Sequence, residues 1–178
     1  MSKPDIRFCV ITISDSCSQG IKTDRSGPAL EELITKSRNY NGYVSRRLIT
    51  DDKPIIQETL EEWCQSADVI LTTGGTGLAP RDNTPEATKA VIQRECPGIV
   101  VALLQRSLLS TPMAALSRLS AGTREATLIV NLPGSERAVR ECFEVLDPLF
   151  VHAVDLLTDE VGAGGRAQRT HSAMGLIF

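Results

Sequence analysis

The chain has 178 residues, 42% of them hydrophobic and 23% charged, with a formal net charge of −3. That length suits one domain with a proper core rather than two, and the mild acidity gives no electrostatic ground for binding nucleic acid. No apolar run reaches the length of a membrane span and MSKPDIRF contains no signal-peptide core, so a cytoplasmic protein is expected.

IRFCVITI (6–13) is a continuous apolar run, as suits a strand buried on both faces. Ser26-Gly27-Pro28 then leads into ALEELITKS, a helix with Pro near its first turn. YVSRRLI (43–49) reads as a second, more polar strand, and Asp52 as the cap of the helix that follows. In that helix Ile55, Ile56, Thr59, Leu60, Trp63 and Cys64 recur at helical spacing. DVILTT (68–73) is the third strand, and TPEATKAVIQREC the next helix, with Thr84 as N-cap and Pro85 at its first position. GIVVALLQRSLL (98–109) has the length of a helix but is apolar nearly all round, so it lies in the core or under another subunit. Residues 126–131 form a fourth strand; Ser135 then caps a long last helix that Pro148 interrupts or kinks. Residues 159–178 lose periodicity and read as a flexible tail or the start of a linker.

Strands alternating with helices predict a single three-layer α/β domain over 5–158, its mostly parallel sheet flanked by helices. The five cysteines are scattered, odd in number and without a C-x-x-C pair, and with only two histidines besides they argue against zinc. A metal used here should be held by oxygen.

In such a sheet, ligands bind at the carboxyl ends of the strands. After the first strand come Ser14-Asp15-Ser16 and then Asp24-Arg25-Ser26-Gly27; after the second, Asp51-Asp52. After the third comes Gly74-Gly75-Thr76-Gly77 with Arg81-Asp82, read as an ion pair, and after the fourth Leu132-Pro133-Gly134-Ser135. The glycine loop is neither a Walker loop, which needs G-x-x-x-x-G-K-[ST], nor a dinucleotide fingerprint, since Pro80 stands where its third glycine belongs. A tight strand-to-helix turn and an anion-binding loop both fit it. Several carboxylates at the mouth of a phosphate loop repel one another unless a cation lies between them, and Mg²⁺ suits such a site. That points to metal-assisted phosphoryl or nucleotidyl chemistry. No G-x-S-x-G elbow surrounds Ser14, Ser16, Ser26 or Ser135, which argues against a serine hydrolase. Ser117-Arg118 is a candidate for holding a phosphate, because Arg forks onto oxyanions; an ordinary surface Arg is the alternative.

ITISDS, DRSGP, ILTTGGTGLAPRDNTPEAT, the ALSR segment and IVNLPGS follow one another in this order. Together they resemble the molybdopterin adenylyltransferases of molybdenum cofactor biosynthesis, a family that includes the N-terminal G domain of gephyrin and its plant counterpart. The resemblance covers about residues 5–158, and the long TTGGTG-x-x-x-RD-x-TPEAT string carries most of its specificity. It implies a molybdopterin-binding-like fold, a homotrimer, and transfer of AMP from Mg-ATP to the terminal phosphate of molybdopterin with release of pyrophosphate. A gephyrin-like trimeric scaffold that binds molybdopterin with little or no catalysis is the alternative. A molybdate-insertion domain or protein is an implied partner.

By the same resemblance, Asp51 and Asp82 are the catalytic acids and the Mg²⁺ ligands or organisers of the reacting phosphates. Ser14, Asp15, Gly74, Gly75, Thr76 and Gly77 line the nucleotide and pyrophosphate region, with Leu132, Pro133, Gly134 and Ser135 as another wall. Asp24, Ser26, Ser117 and Arg118 face the pterin substrate. Family members commonly carry Pro-Asp-Glu after the second strand where this chain has Thr50-Asp51-Asp52, which keeps the first acid.

Overall fold

A computed structural model of the chain describes residues 3–160; of the tail expected over 159–178, residues 159–160 belong instead to the last helix and the rest lies outside the described residues. Four strands run parallel: β1 (Asp5–Ile13), β2 (Asn41–Ile49), β3 (Val69–Thr73) and β6 (Thr127–Leu132). β4 (Arg94–Glu95) and β5 (Ala121–Arg124) add an antiparallel arm beyond β6. All six form one sheet in the order β2-β1-β3-β6-β5-β4.

The four parallel strands lie where the sequence places them, and the reason is visible in the core. Along β1, Ile6, Phe8 and Val10 enter one apolar cluster, and Cys9, Ile11 and Ile13 enter another on the opposite face. Strict alternation between two buried faces is what a continuous apolar run means in a parallel sheet. The first cluster is closed by α2 (Ser26–Thr35), α5 (Pro97–Leu108), α6 (Glu136–Leu146) and α7 (Phe150–Glu160). The second is closed by α3 (Lys53–Cys64) and α4 (Thr84–Val91). The result is the expected three-layer α/β domain. Among the described residues, no helix is long and apolar enough to cross a membrane.

Two local readings need correction. The helix expected over TPEATKAVIQREC ends at Val91, because Ile92 turns extended and the chain pairs with β5 instead. Gln93 N–H donates to the Thr123 carbonyl and Cys96 N–H to that of Ala121, each at 2.8 Å. These sheet bonds replace the next helical turn. Thr84 is the first helical residue rather than the cap, a position held by Asn83. Its freed hydroxyl instead donates 2.8 Å to the Gly74 carbonyl. Of the two places open to the apolar helix, α5 lies only partly in the core: Leu103 and Ser107 are buried, and Leu109 just beyond it is 84% exposed.

The caps of α3 and α6 behave as read. Asp52 accepts from Ile55 N–H and Ser135 from Ala138 N–H, so α3 and α6 begin where their sequences say. Pro148 falls in a 3₁₀ turn, Asp147–Leu149, that breaks the last helix into α6 and α7.

Candidate active site

The predicted acids and small residues lie at the carboxyl edge of the sheet. β1 is flanked by β2 on one side and β3 on the other, so the chain leaves its carboxyl end in a crevice between oppositely directed crossovers. Open parallel sheets place their ligands at such switch points. Ser14 directly follows β1, its N–H bonded at 2.9 Å to the Ile49 carbonyl at the end of β2 and its Oγ capping the short α1 (Asp15–Ser18).

Asp15 and Asp51 clasp each other reciprocally. Asp15 N–H donates to Asp51 Oδ2 at 2.7 Å, and Asp51 N–H to Asp15 Oδ1 at 3.0 Å. Arg81 does not pair with its neighbour Asp82: its guanidinium forks onto Asp15, Nε to Oδ2 at 2.7 Å and Nη2 to Oδ1 at 3.0 Å. Residues adjacent in an extended or turning segment send their side chains apart, which is why sequence adjacency misleads here. The Arg81 fork and the Asp51 N–H hold the Asp15 carboxyl below the usual range. Asp51 moves the other way: burial, then the nearby charges of Asp15 and Asp82, push its carboxyl up. Two neighbouring acids with opposed shifts are a frequent mark of a functional site.

The glycine loop runs across this pair. Gly74 and Gly75 adopt φ of 100° and 62°. A Cβ on Gly74 would stand 2.3 Å from the Ile13 carbonyl oxygen; one on Gly75 would meet Thr84 Oγ1 at 2.3 Å and Asp51 Oδ1 at 2.9 Å. Only glycine lets the backbone pass this close. Asp82 turns its carboxylate back into its own loop, accepting from Ala79 N–H at 3.0 Å. The buried Thr76 offers its carbonyl to Arg118 N–H at 2.8 Å.

The wall after β6 packs beside Gly74: Gly74 N–H donates 3.2 Å to the Leu132 carbonyl, and Thr73 Oγ1 donates 2.7 Å to that of Pro133. Gly134 approaches so closely that a Cβ there would lie 3.2 Å from the Gly74 Cα. Leu132 itself is buried, and the Ser135 hydroxyl is engaged as a helix cap.

The residues expected to face the pterin are differently employed. Asp24 Oδ1 accepts from Ser26 Oγ and Gly27 N–H, and its Oδ2 from Thr12 Oγ1 at 2.8 Å. These are the contacts of a clamp on the start of α2, and Ser26 is buried within it. Ser117 ends the 3₁₀ turn Pro112–Leu116. Arg118 reaches the glycine loop rather than open space: Nε donates to the Gly77 carbonyl at 2.8 Å, Nη2 to that of Asp82 at 2.6 Å, and Nη1 pairs with Glu86. Asn83 escapes the sequence reading, yet its Nδ2 donates 3.3 Å to the Asp51 carbonyl and ties the loops after β2 and β3 together. Its place directly before a Thr-Pro-Glu helix start is the available signal.

Among the described residues no cluster of three or more His, Cys, Asp or Glu side chains is grouped as a metal cage. Asp51 Oδ1 and Asp82 Oδ1 have no protein donor among those residues, so one oxygen of each acid is open to a ligand.

Known proteins match this chain in sequence and in fold. The chain is 45% identical over 176 residues to the molybdenum cofactor synthesis protein cinnamon of Drosophila melanogaster, covering 93% of this chain and 29% of that protein. It is 39% identical over 154 residues to the molybdopterin adenylyltransferase of Helicobacter pylori strain J99, covering 85% and 88%. The molybdopterin biosynthesis enzyme MoaB of Thermus thermophilus superposes with a TM-score of 0.79 at 41% identity, over 86% of this chain and 97% of that one. The chain thus spans less than a third of cinnamon and nearly all of the bacterial proteins. Residues 9–152 match the family model described as "Probable molybdopterin binding domain", and with these relatives the chain belongs to that family.

Proposed function

We propose that this chain is a molybdopterin adenylyltransferase, moving AMP from Mg-ATP to the terminal phosphate of molybdopterin and releasing pyrophosphate. The observation that carries the reading is the reciprocal clasp of Asp15 and Asp51 beside a glycine loop, with the Asp82 charge acting on Asp51, in a chain 39% identical to a protein bearing that name.

The nucleophile in such a reaction is a phosphate oxygen already ionised at neutral pH, so no strong general base is needed. What remains is to align two polyanions and offset charge at the α-phosphate. Gly74 and Gly75 let the backbone approach without a Cβ in the way. Arg81 holds Asp15, and Asp15 with Asn83 holds Asp51 in place.

Mg²⁺ fits the donor set. It ordinarily takes one or two carboxylates together with substrate phosphates, and Asp51 and Asp82 each keep one oxygen without a protein donor among the described residues. Burial is the main cause of the rise in Asp51, and a cation there would offset the repulsion from Asp15 and Asp82 that adds to it. Bound in this way it would neutralise phosphate charge in the transition state.

A homotrimer is part of the proposal. It is supported by the exposed apolar side chains Val101, Leu108, Leu109, Met113 and Leu116 on and after α5. A cytoplasmic setting agrees with five cysteines of which none forms a disulfide among the described residues.

The test is direct formation of adenylylated molybdopterin by the purified chain with Mg-ATP. Wild-type protein should turn over, and Asp51→Asn and Asp82→Asn should each fold while losing on the order of 10²-fold or more in kcat. Tight molybdopterin binding without product would instead establish the scaffold reading. Full activity in either mutant would remove that acid from the mechanism.

A further inference from the structure

Arg118, like Asp24 and Ser26, has surroundings that argue for a task other than holding the pterin. Its backbone N–H binds the Thr76 carbonyl, and its guanidinium binds the carbonyls of Gly77 and Asp82. Glu86, in the first turn of α4, pins the same guanidinium from the side. One residue therefore holds three carbonyls of the loop between β3 and α4. A lysine cannot reproduce this: acceptors in different directions need a rigid planar fork, whereas an ammonium is a point charge.

A trans peptide unit carries its C=O and the next N–H on opposite sides. Drawing the Thr76, Gly77 and Asp82 carbonyls toward Arg118 therefore turns the N–H groups of Gly77, Leu78 and Asn83 away from it. No acceptor is found for these three amides among the described residues. Successive amides left free in a turning glycine loop make an anion-binding concavity. Glu86 and the loop carbonyls already occupy the arginine, so its charge is not the part offered to a ligand.

We propose that Arg118 is a positioning residue for polyphosphate recognition: it orients the peptide planes of the glycine loop so that the Gly77, Leu78 and Asn83 amides face the β- and γ-phosphates of the nucleotide. This rests on the nucleotidyltransferase reading and adds to it which residue shapes the phosphate cradle. It also separates Arg118 from the pterin phosphate, the ligand that the sequence resemblance gives it.

The experiment is a titration of the full chain with inorganic pyrophosphate and Mg²⁺, followed by amide NMR, beside steady-state kinetics. In wild type the Gly77, Leu78 and Asn83 amides should shift on pyrophosphate binding. In Arg118→Lys those shifts should vanish, pyrophosphate affinity should fall and KM for ATP rise by on the order of tenfold to a hundredfold. Affinity for molybdopterin should stay within about twofold, given that no pterin contact is lost. Glu86→Gln, which frees the fork without removing it, should weaken pyrophosphate binding in the same direction and by less. Unchanged pyrophosphate affinity in Arg118→Lys, loss of molybdopterin affinity in its place, or tighter pyrophosphate binding by Glu86→Gln would each overturn the assignment. A wild-type chain that shows the amide shifts but forms no adenylylated pterin leaves this role standing and sinks the proposed reaction. An active chain whose three amides stay silent does the reverse.

Discussion

Asp51 is 9% exposed and lies within the field of two other carboxylates, so its charged form is disfavoured in the folded protein. Its pKa is raised on folding, and its contribution to stability is therefore fully present below the ordinary value of 3.8 and lost as pH rises through the folded value. Asp51→Asn keeps an acceptor for Asp15 N–H and removes that penalty. In metal-free buffer at about pH 7 it should melt a few degrees higher than wild type, and the gain should fade on acidification toward about pH 4. A thermal melt series across pH measures this; a lower Tm at neutral pH would show that Asp51 is not disfavoured in its charged form. Gly74→Ala acts on the same spot through sterics. With φ at 100° and a carbonyl 2.3 Å from the new Cβ, it should cost about 2–3 kcal/mol in urea unfolding. The acids and glycines of the site were legible as types because strand ends dictate where they collect. The pairing of Arg81 with Asp15 was not, since it joins loops after different strands and leaves no trace in local spacing.

At the scale of elements, β1, β3 and β6 could be read from apolar runs because burial on both faces leaves that mark, whereas β2, at the sheet edge, is a more polar run in which only Ile49 is buried. β4 could not: its two residues, Arg94 and Glu95, are exposed and carry no pattern. They become a strand only because β5 offers a free edge, and the same pairing ends α4 early. α5 shows the converse. Its composition marked it as special, yet only the structure shows which side is left open, with Val101 at 53% and Leu108 at 47% exposure. If that side seats the trimer, Val101→Glu and Leu108→Glu should shift sedimentation from trimer to monomer at micromolar concentration without loss of helicity. A wild-type chain that sediments as a monomer would contradict the assembly.

Across the whole molecule, the two ends of the sheet divide the labour. The carboxyl edge gathers the site, and the amino edge is locked by Arg7 and Asp68. Asp68 accepts from the Arg7 N–H, from Nε at 3.1 Å and from Nη2 at 2.8 Å, with the acid side chain only 5% exposed. Asp68→Ala strands the arginine and should cost about 3 kcal/mol of stability. Its KM for ATP should match wild type, because nothing at the opposite edge moves; chemical denaturation beside kinetics tests both halves. The layered α/β plan was legible because it depends only on the alternation of elements. Which faces of that plan touch a ligand depends on contacts between residues far apart in the chain, and those appear only in three dimensions.

The place of β6 has a temporal consequence. It is the last strand among the described residues, yet it is wedged between β3 and β5, and its exit loop forms the wall beside Gly74. Parallel pairings of this kind close long stretches of chain and form slowly. A growing or refolding polypeptide can therefore assemble β1, β2 and β3, bury much of their apolar surface, and still own no complete pocket. In a refolding experiment the fluorescence of Trp63, on α3 against the early strands, should recover before nucleotide binding does. Competence to bind would then be acquired in the final event of folding, so a chain stopped short of residue 132 is one that the substrate cannot recruit.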